Sequence, residues 1–350
     1  MTPALAKAVS TAPALEFPFP AAPSLGETLQ IRPGCLWLRM PLPFALDHIN
    51  LWMLEDGDGW TLVDTGLNLP VTQEAWDKIF ARHGARIKRV ICTHCHPDHF
   101  GLAGWLTRRF GVALWMPQGE FLAGHALYAE TSGHGTERTL ELFAAHGLEI
   151  TEQQRMNQRG NSYRRGVYDP PVQYRRIHGD DAFLVGEHKW RPIFGFGHSP
   201  EHAALYCESL GLLIAGDMLL PKISTNVSVW AQEPESDPVR LFLDSIDLFN
   251  PLPPDTLALP SHGLPFVGIH ARIEQLHSHH RDRLHDVMEK CREWTTASEL
   301  LPILFRRTLD THQTFFAMGE AIAHLNYLWH EGKLLREKGA GAVYRFRRKH

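Results

Sequence analysis

Three histidines and one carboxylate fall within six positions at His94, His96, Asp98 and His99, directly after the apolar, strand-like run 89–92. Four metal-competent side chains this close cannot all reach one ion without strain. They can serve two ions about 3.5–4 Å apart, the spacing of binuclear hydrolases. In an extended segment, side chains two apart project to the same side, so His94 and His96 would reach one metal. Asp98 and His99, beyond Pro97 at the opening of the next helix, would reach the other. The fold must therefore bring a strand end, a turn and a helix start to one point, and further ligands must arrive there from elsewhere. With 22 His in 350 residues a His-rich turn can arise by chance, but the residues downstream argue against chance.

Three more candidates stand where a strand hands over to a turn. His198 lies in the string Gly197-His198-Ser199-Pro200-Glu201-His202, just past an apolar run. Asp217 closes the run 212–216, where Gly216 lets the chain turn sharply and the acid emerge at the strand end. One carboxylate there can give an oxygen to each of two cations. His262 follows residues 257–261 and precedes Gly263. Alone, each reads as an ordinary surface residue; the shared place at strand ends makes the joint case. Upstream, residues 49–66 read as a hairpin with the turn Asp56-Gly57-Asp58-Gly59, ending at Asp64-Thr65-Gly66. Helical periodicity over 72–83 and 101–110 alternates with apolar runs at 87–92 and 112–116, and strands resume at 182–186 and 189–194. That alternation predicts an α/β sandwich.

Together these residues resemble the metallo-β-lactamase fold superfamily. The HxHxDH motif stands as His94, His96, Asp98 and His99. Asp64-Thr65-Gly66 precedes it, and His198, Asp217 and His262 follow in the family's order, over roughly residues 30–270. The resemblance implies an αββα sandwich with the site at one edge between two sheets. It also implies a binuclear centre in which His94, His96 and His198 take one metal, Asp98, His99 and His262 the other, and Asp217 bridges. Asp64 would orient a ligand from behind, with His202 in the same outer layer. Zinc β-lactamases often carry cysteine or serine where Asp217 stands, which speaks against antibiotic hydrolysis. His96 speaks against the flavodiiron branch, which places glutamate there, and the full ligand set differs from that of mono-iron persulfide dioxygenases. The 197–202 string is similar to the GHTPGH of glyoxalase II, except that Glu201 replaces a glycine. Glu201 and His202 are left as outer-layer or substrate groups.

Composition bounds what surrounds the site. A hydrophobic content of 44% and a charged content of 21% are ordinary for a globular chain. The net charge of −4 gives no global case for nucleic acid or an anionic membrane. No apolar run approaches the roughly 18–20 residues that a membrane span needs. Five scattered cysteines, odd in number, fit reduced thiols in a cytoplasm. Residues 1–25, broken by Pro3, Pro13, Pro18, Pro20 and Pro23, read as a flexible leader and not as a signal peptide.

Residues 26–270 then form the catalytic domain. A helical, Arg- and Tyr-rich insertion at 118–181 is either a lid over the substrate or a surface excursion with a solvated basic face. Residues 271–350 hold about 14 Lys/Arg against about 10 Asp/Glu. Helices at 273–294, 300–305 and 314–331, then a small hairpin, resemble the winged-helix appendage of one branch of the superfamily. Such appendages bind nucleic acid, serve in dimerisation or act as lids. The tail Arg345, Arg347, Arg348 and Lys349 reads either as a phosphate-contacting wing or as a solvated end.

The expected function is metal-dependent hydrolysis of a small thioester, ester or lactone, with a metal-dependent endoribonuclease as the alternative. Two divalent cations lower the pKa of a shared water from 15.7 to about 7. Asp98 would hold that water and pass on its proton. Ligation by five His and two Asp suits zinc, with iron or manganese left open. Lys222 and Asn226, just past Asp217, and Arg164 and Arg165 in the insertion would meet an anionic substrate group.

Overall fold

The computed structural model describes residues 14–131, 133–158 and 160–349. Strands β1 (Leu29–Arg32), β2 (Cys35–Pro41), β3 (His48–Asp56), β4 (Gly59–Val63), β5 (Ile87–Ile91), β6 (Leu114–Met116) and β7 (Tyr174–Arg176) lie side by side in one sheet. A second sheet holds β8 (Phe183–Val185), β9 (His188–Gly195), β10 (His202–Cys207), β11 (Leu212–Gly216) and β12 (Leu257–Pro260), again in sequence order. Helices α1 (Pro70–His83), α2 (Pro97–Phe100), α3 (Ala103–Phe110), α4 (Gln118–Ala129), α5 (Thr136–Ala144), α6 (Ile150–Gln158), α7 (Ser162–Gly166) and α8 (Pro238–Asp247) occupy the connections. The chain closes with α9 (Ile269–Lys290), α10 (Leu301–Leu304), α11 (Thr311–His330) and the hairpin β13 (Leu334–Lys338)–β14 (Tyr344–Arg348).

Alternation along the strands sorts the apolar side chains into layers. On β3, Ile49, Leu51 and Met53 face an outer core that includes Trp76 and Phe80 of α1 and Leu106 of α3. Trp52 and Leu54 face the other way, into a core between the sheets shared with Leu205, Leu212, Ile214, Leu257 and Leu259. Leu213, Ala215 and Ala258 turn from that core to a third, with α8, α9 and α11. The layers are therefore α, β, β and α. Trp37 and Trp52 stack in the central layer with ring centroids 6.2 Å apart. At about 25 cal/mol per Å², the roughly 150–250 Å² of a buried tryptophan contribute about 4–6 kcal/mol before chain entropy is charged.

The C-terminal domain shares the third core. Val287, Leu300, Met318, Ile322 and Leu325 cluster with Val239, Phe242 and Ile246 of α8 and with Leu140, Phe143 and Met156 of the 118–181 segment. Thr296 and Glu299 bond reciprocally in the turn that leads toward α10: Thr296 N–H donates to Glu299 at 2.8 Å, and Glu299 N–H to Thr296 Oγ1 at 3.4 Å. Thr295 bridges Phe346 and adds one antiparallel pair to the hairpin.

Two segments differ from their sequence-based reading. Residues 14–25, expected to belong to a flexible leader, lie on the body of the domain. Glu16 pairs with Val267 by two backbone bonds of 2.9 and 3.1 Å, and the Phe19 ring packs edge-on against Trp37. Residues 1–13 of that leader lie outside the described residues. The 118–181 segment is not all excursion, because Tyr174–Arg176 joins the first sheet as its edge strand, parallel to β6. Among the described residues no helix is long and apolar enough to cross a membrane.

Candidate metal centre

The carboxyl ends of β4, β5, β9, β11 and β12 deliver the candidate side chains to one edge of the sandwich. Asp64 follows β4 with φ at +63°, a left-handed conformation that aspartate tolerates better than most residues. His94 and His96 follow β5, with Asp98 and His99 in α2. His198 lies past β9, Asp217 directly after β11 and His262 past β12. Asp64 fixes the His cluster from behind. Thr93 N–H donates to its Oδ1 at 2.8 Å, and His99 Nδ1–H to its Oδ2 at 2.9 Å. Thr65 Oγ1–H donates to the His99 carbonyl at 2.7 Å, so the Asp64-Thr65 turn grips that residue twice.

The imidazole nitrogens converge as lone pairs. His198 Nδ1–H donates to the Asn226 carbonyl at 2.8 Å, and His262 Nδ1–H to the His48 carbonyl at 2.7 Å, which leaves Nε2 of each ring without its proton when neutral. His94 Nδ1 lies 3.1 Å from Thr93 Oγ1, whose own proton goes to Asp64. His94 Nε2 then stands 3.2 Å from His198 Nε2 and 3.0 Å from His96 Nδ1. The contact between His94 Nε2 and His198 Nε2, both without a proton, repels unless a cation sits between them. Two nitrogens bound to one tetrahedral zinc stand about 3.3 Å apart, so these rings fit such an ion.

Asp217 faces both halves of the cluster. Its Oδ2 is 3.4 Å from His198 Nε2, while its Oδ1 is 3.4 Å from His99 Nε2 and 3.5 Å from His262 Nε2. Asp98 Oδ2 is 3.5 Å from His262 Nε2 and 3.8 Å from His99 Nε2. His99 Nε2 and Asp217 Oδ1 are buried polar atoms without a hydrogen-bond partner. Leaving such atoms unpaired costs about 1–3 kcal/mol each, so the fold holds them for something else. Among the described residues, the groups able to share a metal are His94, His96, His198 and Asp217, and Asp98, His99 and His262.

Proton affinities divide the same way. Burial, then the neighbouring imidazoles, pushes His94 and His96 well below the usual histidine range, so both are neutral donors. Burial works against a proton on His99 as well, but the carboxylates of Asp64, Asp98 and Asp217 outweigh it and raise its pKa well above 6.5. Burial opposes charge on Asp217, yet His262 and His99 hold it ionised, far below the usual carboxylate range. The pocket is built to hold positive charge.

Neighbouring residues lock this geometry, and several were not legible beforehand. Glu120, fully buried in the first turn of α4, accepts from Cys95 N–H at 2.8 Å, Ser199 Oγ–H at 2.6 Å and Glu201 N–H at 2.6 Å. It ties the His-cluster loop to the His198 loop. Tyr163 Oη–H donates to the Cys95 carbonyl at 2.6 Å. A lid motion of the 118–181 segment would have to break these bonds. His202, buried and neutral, accepts the Asp217 N–H at Nε2 over 3.1 Å; burial, then the neighbouring His198 imidazole, lowers its pKa to about 3. A Cβ at Gly216 would stand 2.2 Å from that nitrogen, so only glycine fits beside it.

Two of the groups left for substrate are engaged within the fold. Glu201 accepts the Gly119 N–H at 2.7 Å and so closes the start of α4, a job that occupies its carboxylate. The Asn226 side chain is taken by Ser228 and Glu320, and its carbonyl by His198. Arg164 lies over the Tyr128 ring at 5.2 Å. Arg164, Arg165 and Lys222 are exposed.

Residues 45–262 match the family model described as Metallo-beta-lactamase superfamily, and residues 284–349 match Metallo-beta-lactamase-like, C-terminal domain. A beta-lactamase domain protein from Burkholderia ambifaria, seen in a crystal structure, is 46% identical with a TM-score of 0.89, over 96% of this chain and 98% of that one. A metallo-beta-lactamase family protein from Thermus thermophilus is 33% identical with a TM-score of 0.79, over 91% of this chain and 100% of that one. The protein called Probable metallo-hydrolase YqjP, from Bacillus subtilis (strain 168), is 24% identical over 319 residues, 88% of this chain and 96% of its own length.

Proposed function

Because this chain belongs to the metallo-β-lactamase superfamily and is a metallo-hydrolase by that membership, we propose that it uses two zinc ions to hydrolyse a small thioester, ester or lactone. His94, His96 and His198 would hold one ion, and Asp98, His99 and His262 the other. The observation that carries the binuclear reading is Asp217, whose two oxygens face the two histidine groups at 3.4–3.5 Å. When bound, two divalent cations supply a Lewis acid and make a water acidic enough to ionise near neutral pH.

The chain's own residues then divide the work. Half-buried Asp98, with Oδ2 turned to His262 and His99, takes the proton of the attacking water and returns it to the leaving oxygen or sulfur. Asp64 and Thr93 keep His99 and His94 in the tautomers that leave Nε2 available. Lys222, exposed on the loop after Asp217, is the residue we assign to an anionic end of the substrate.

The test combines elemental analysis with a substrate screen. Protein purified without chelator is expected to carry close to two transition-metal ions per chain and to cleave members of a thioester and lactone panel. One tightly held ion with full activity would overturn the binuclear reading. The endoribonuclease reading is not favoured, since tail charges it needs are engaged within the fold: Arg347 lies over Trp294 at 4.8 Å and Arg348 pairs with Glu289 at 3.6 Å. Metal-dependent cleavage of single-stranded RNA, weakening steeply with salt, would reverse that ranking.

A further inference from the structure

The loop that leaves β11 connects two of the proposed ligands. Asp217 opens it, and the carbonyl of Asn226 within it receives the Nδ1 proton of His198 at 2.8 Å. Thr225 Oγ1–H donates to the Asp217 carbonyl at 2.5 Å, so the two points are tied across the loop. Among the described residues no helix or strand forms between β11 and α8. The backbone groups of this stretch must therefore find partners outside regular structure.

Several of those partners belong to the C-terminal helices. Arg272 of α9, itself buried, donates through Nε to the Leu220 carbonyl at 2.5 Å and through Nη2 to the Ile223 carbonyl at 2.8 Å. On α11, the Gly319 carbonyl accepts the Val229 N–H at 3.2 Å, and Glu320 Oε2 accepts from Asn226 Nδ2 at 3.5 Å. A Cβ at Gly319 would stand 2.8 Å from both Cβ and Oγ of Ser228, so helix and loop approach more closely than any other residue allows. Glycine inside a helix costs roughly 0.5–1 kcal/mol against alanine, and this contact is the reason to bear it. The same helix also touches the opposite side of the site. His312 stacks on Phe44 with ring centroids 4.9 Å apart, and Phe44 belongs to the turn leading into His48, whose carbonyl holds His262.

We infer that α9 and α11 are part of the metal centre, with Arg272, Gly319 and Glu320 as positioning residues that set the 217–229 loop and through it Asp217 and His198. This rests on the ligand assignment proposed above. It gives the C-terminal domain a task in the catalytic centre itself, independent of any nucleic acid or partner.

The experiment follows metal release rather than turnover alone. Zinc-loaded Arg272→Met, Gly319→Ala and Glu320→Ala proteins are mixed with a chromophoric chelator, and the melting temperature of each metal-stripped protein is measured alongside. Zinc is expected to leave roughly 10–100-fold faster in the variants, the usual cost of losing a ligand's supporting partner. Glu320→Gln, which still offers an oxygen to Asn226, should release zinc like the parent, and Arg281→Met on the exposed side of α9 should do the same. kcat should fall in the three variants while KM stays within about twofold. Release rates that match the parent, or that merely follow the loss of apo-protein stability, would overturn the inference. Asp217→Ala separates the two levels. If it keeps both ions, the ligand assignment fails; if it loses metal while Arg272→Met and Gly319→Ala do not, only the positioning role fails.

Discussion

Two groups of buried histidines meet at Asn226 and Glu320, and they are built differently. At the metal edge, the Nε2 lone pairs of His94 and His198 meet at 3.2 Å with His96 Nδ1 3.0 Å from the first, and carboxylates stand among the rings. Between α9 and α11, His280 and His324 stack with centroids 5.4 Å apart and Nδ1 to Nε2 at 3.3 Å. There the bonds run in one direction: His324 Nδ1–H donates to the Glu320 carbonyl at 2.8 Å, and its Nε2 accepts from His280 Nδ1. Burial, then the neighbouring imidazoles, lowers the pKa of His280 to about 2, and burial lowers that of His324 to about 4. At the metal edge Asp64, Asp98 and Asp217 raise His99 against the same burial. Histidine abundance is thus not the mark of a cation site. Convergent lone pairs interleaved with carboxylates are.

Removing the carboxylate is the sharpest way to break that contrast. Asp217→Ala should take away the one carboxylate that faces both histidine groups, leaving Asp98 and Asp64 on one side only. Metal content measured by mass spectrometry should fall from about two ions per chain, and turnover should drop below detection, while circular dichroism stays native. Retention of both ions with measurable turnover would end the comparison. Asp98→Asn is milder, because it keeps an oxygen but loses the charge that holds and deprotonates water. kcat should fall by at least about 10²-fold with metal content intact; near-parental turnover would place proton transfer elsewhere. Asp64→Asn should cost less again, about 10–100-fold in metal affinity, read by chelator titration.

The same contrast explains what was legible beforehand. His94, His96, Asp98 and His99 sit within six residues, so sequence alone brings them together. Asp217 and His262 are legible because each follows an apolar run, and strand ends are where a sandwich collects side chains. The α/β alternation likewise forecast β3 to β6 and α1. Glu120 was invisible, since in sequence it is an ordinary acid near a helix start. Only folding reveals that the first turn of α4 lies between two loops, one reached through Cys95 at 25 positions away and the other through Ser199 at 79. Arg272 and Gly319 were hidden for the same reason: a helix pattern states which face is apolar, not which loop rests against it. The sequence points to the Asn226 side chain, whereas the backbone carbonyl meets His198, and carbonyls carry no sequence signal.

The smallest effect belongs to the second histidine group and comes through pH. The folded pKa of His280 is about 2, below the 6.5 of an exposed histidine. As pH falls below about 6.5, the unfolded chain takes up a proton that the folded one refuses, so stability declines on acidification toward the folded value. His280→Leu removes that linkage and leaves only His324 Nε2 without its donor. The drop in Tm between pH 7 and pH 5 should shrink by a few degrees relative to the parent, each kcal/mol being worth about 2–4 °C in a domain of 150–250 residues and less in a longer chain. Metal content should be unchanged, because no carboxylate and no convergent pair is lost. Comparing the two slopes, rather than either Tm, removes the acid sensitivity that both proteins share at the metal edge. A variant that sheds metal, or whose acid slope equals the parent's, would show that the two histidine groups are not the separate devices their geometry describes.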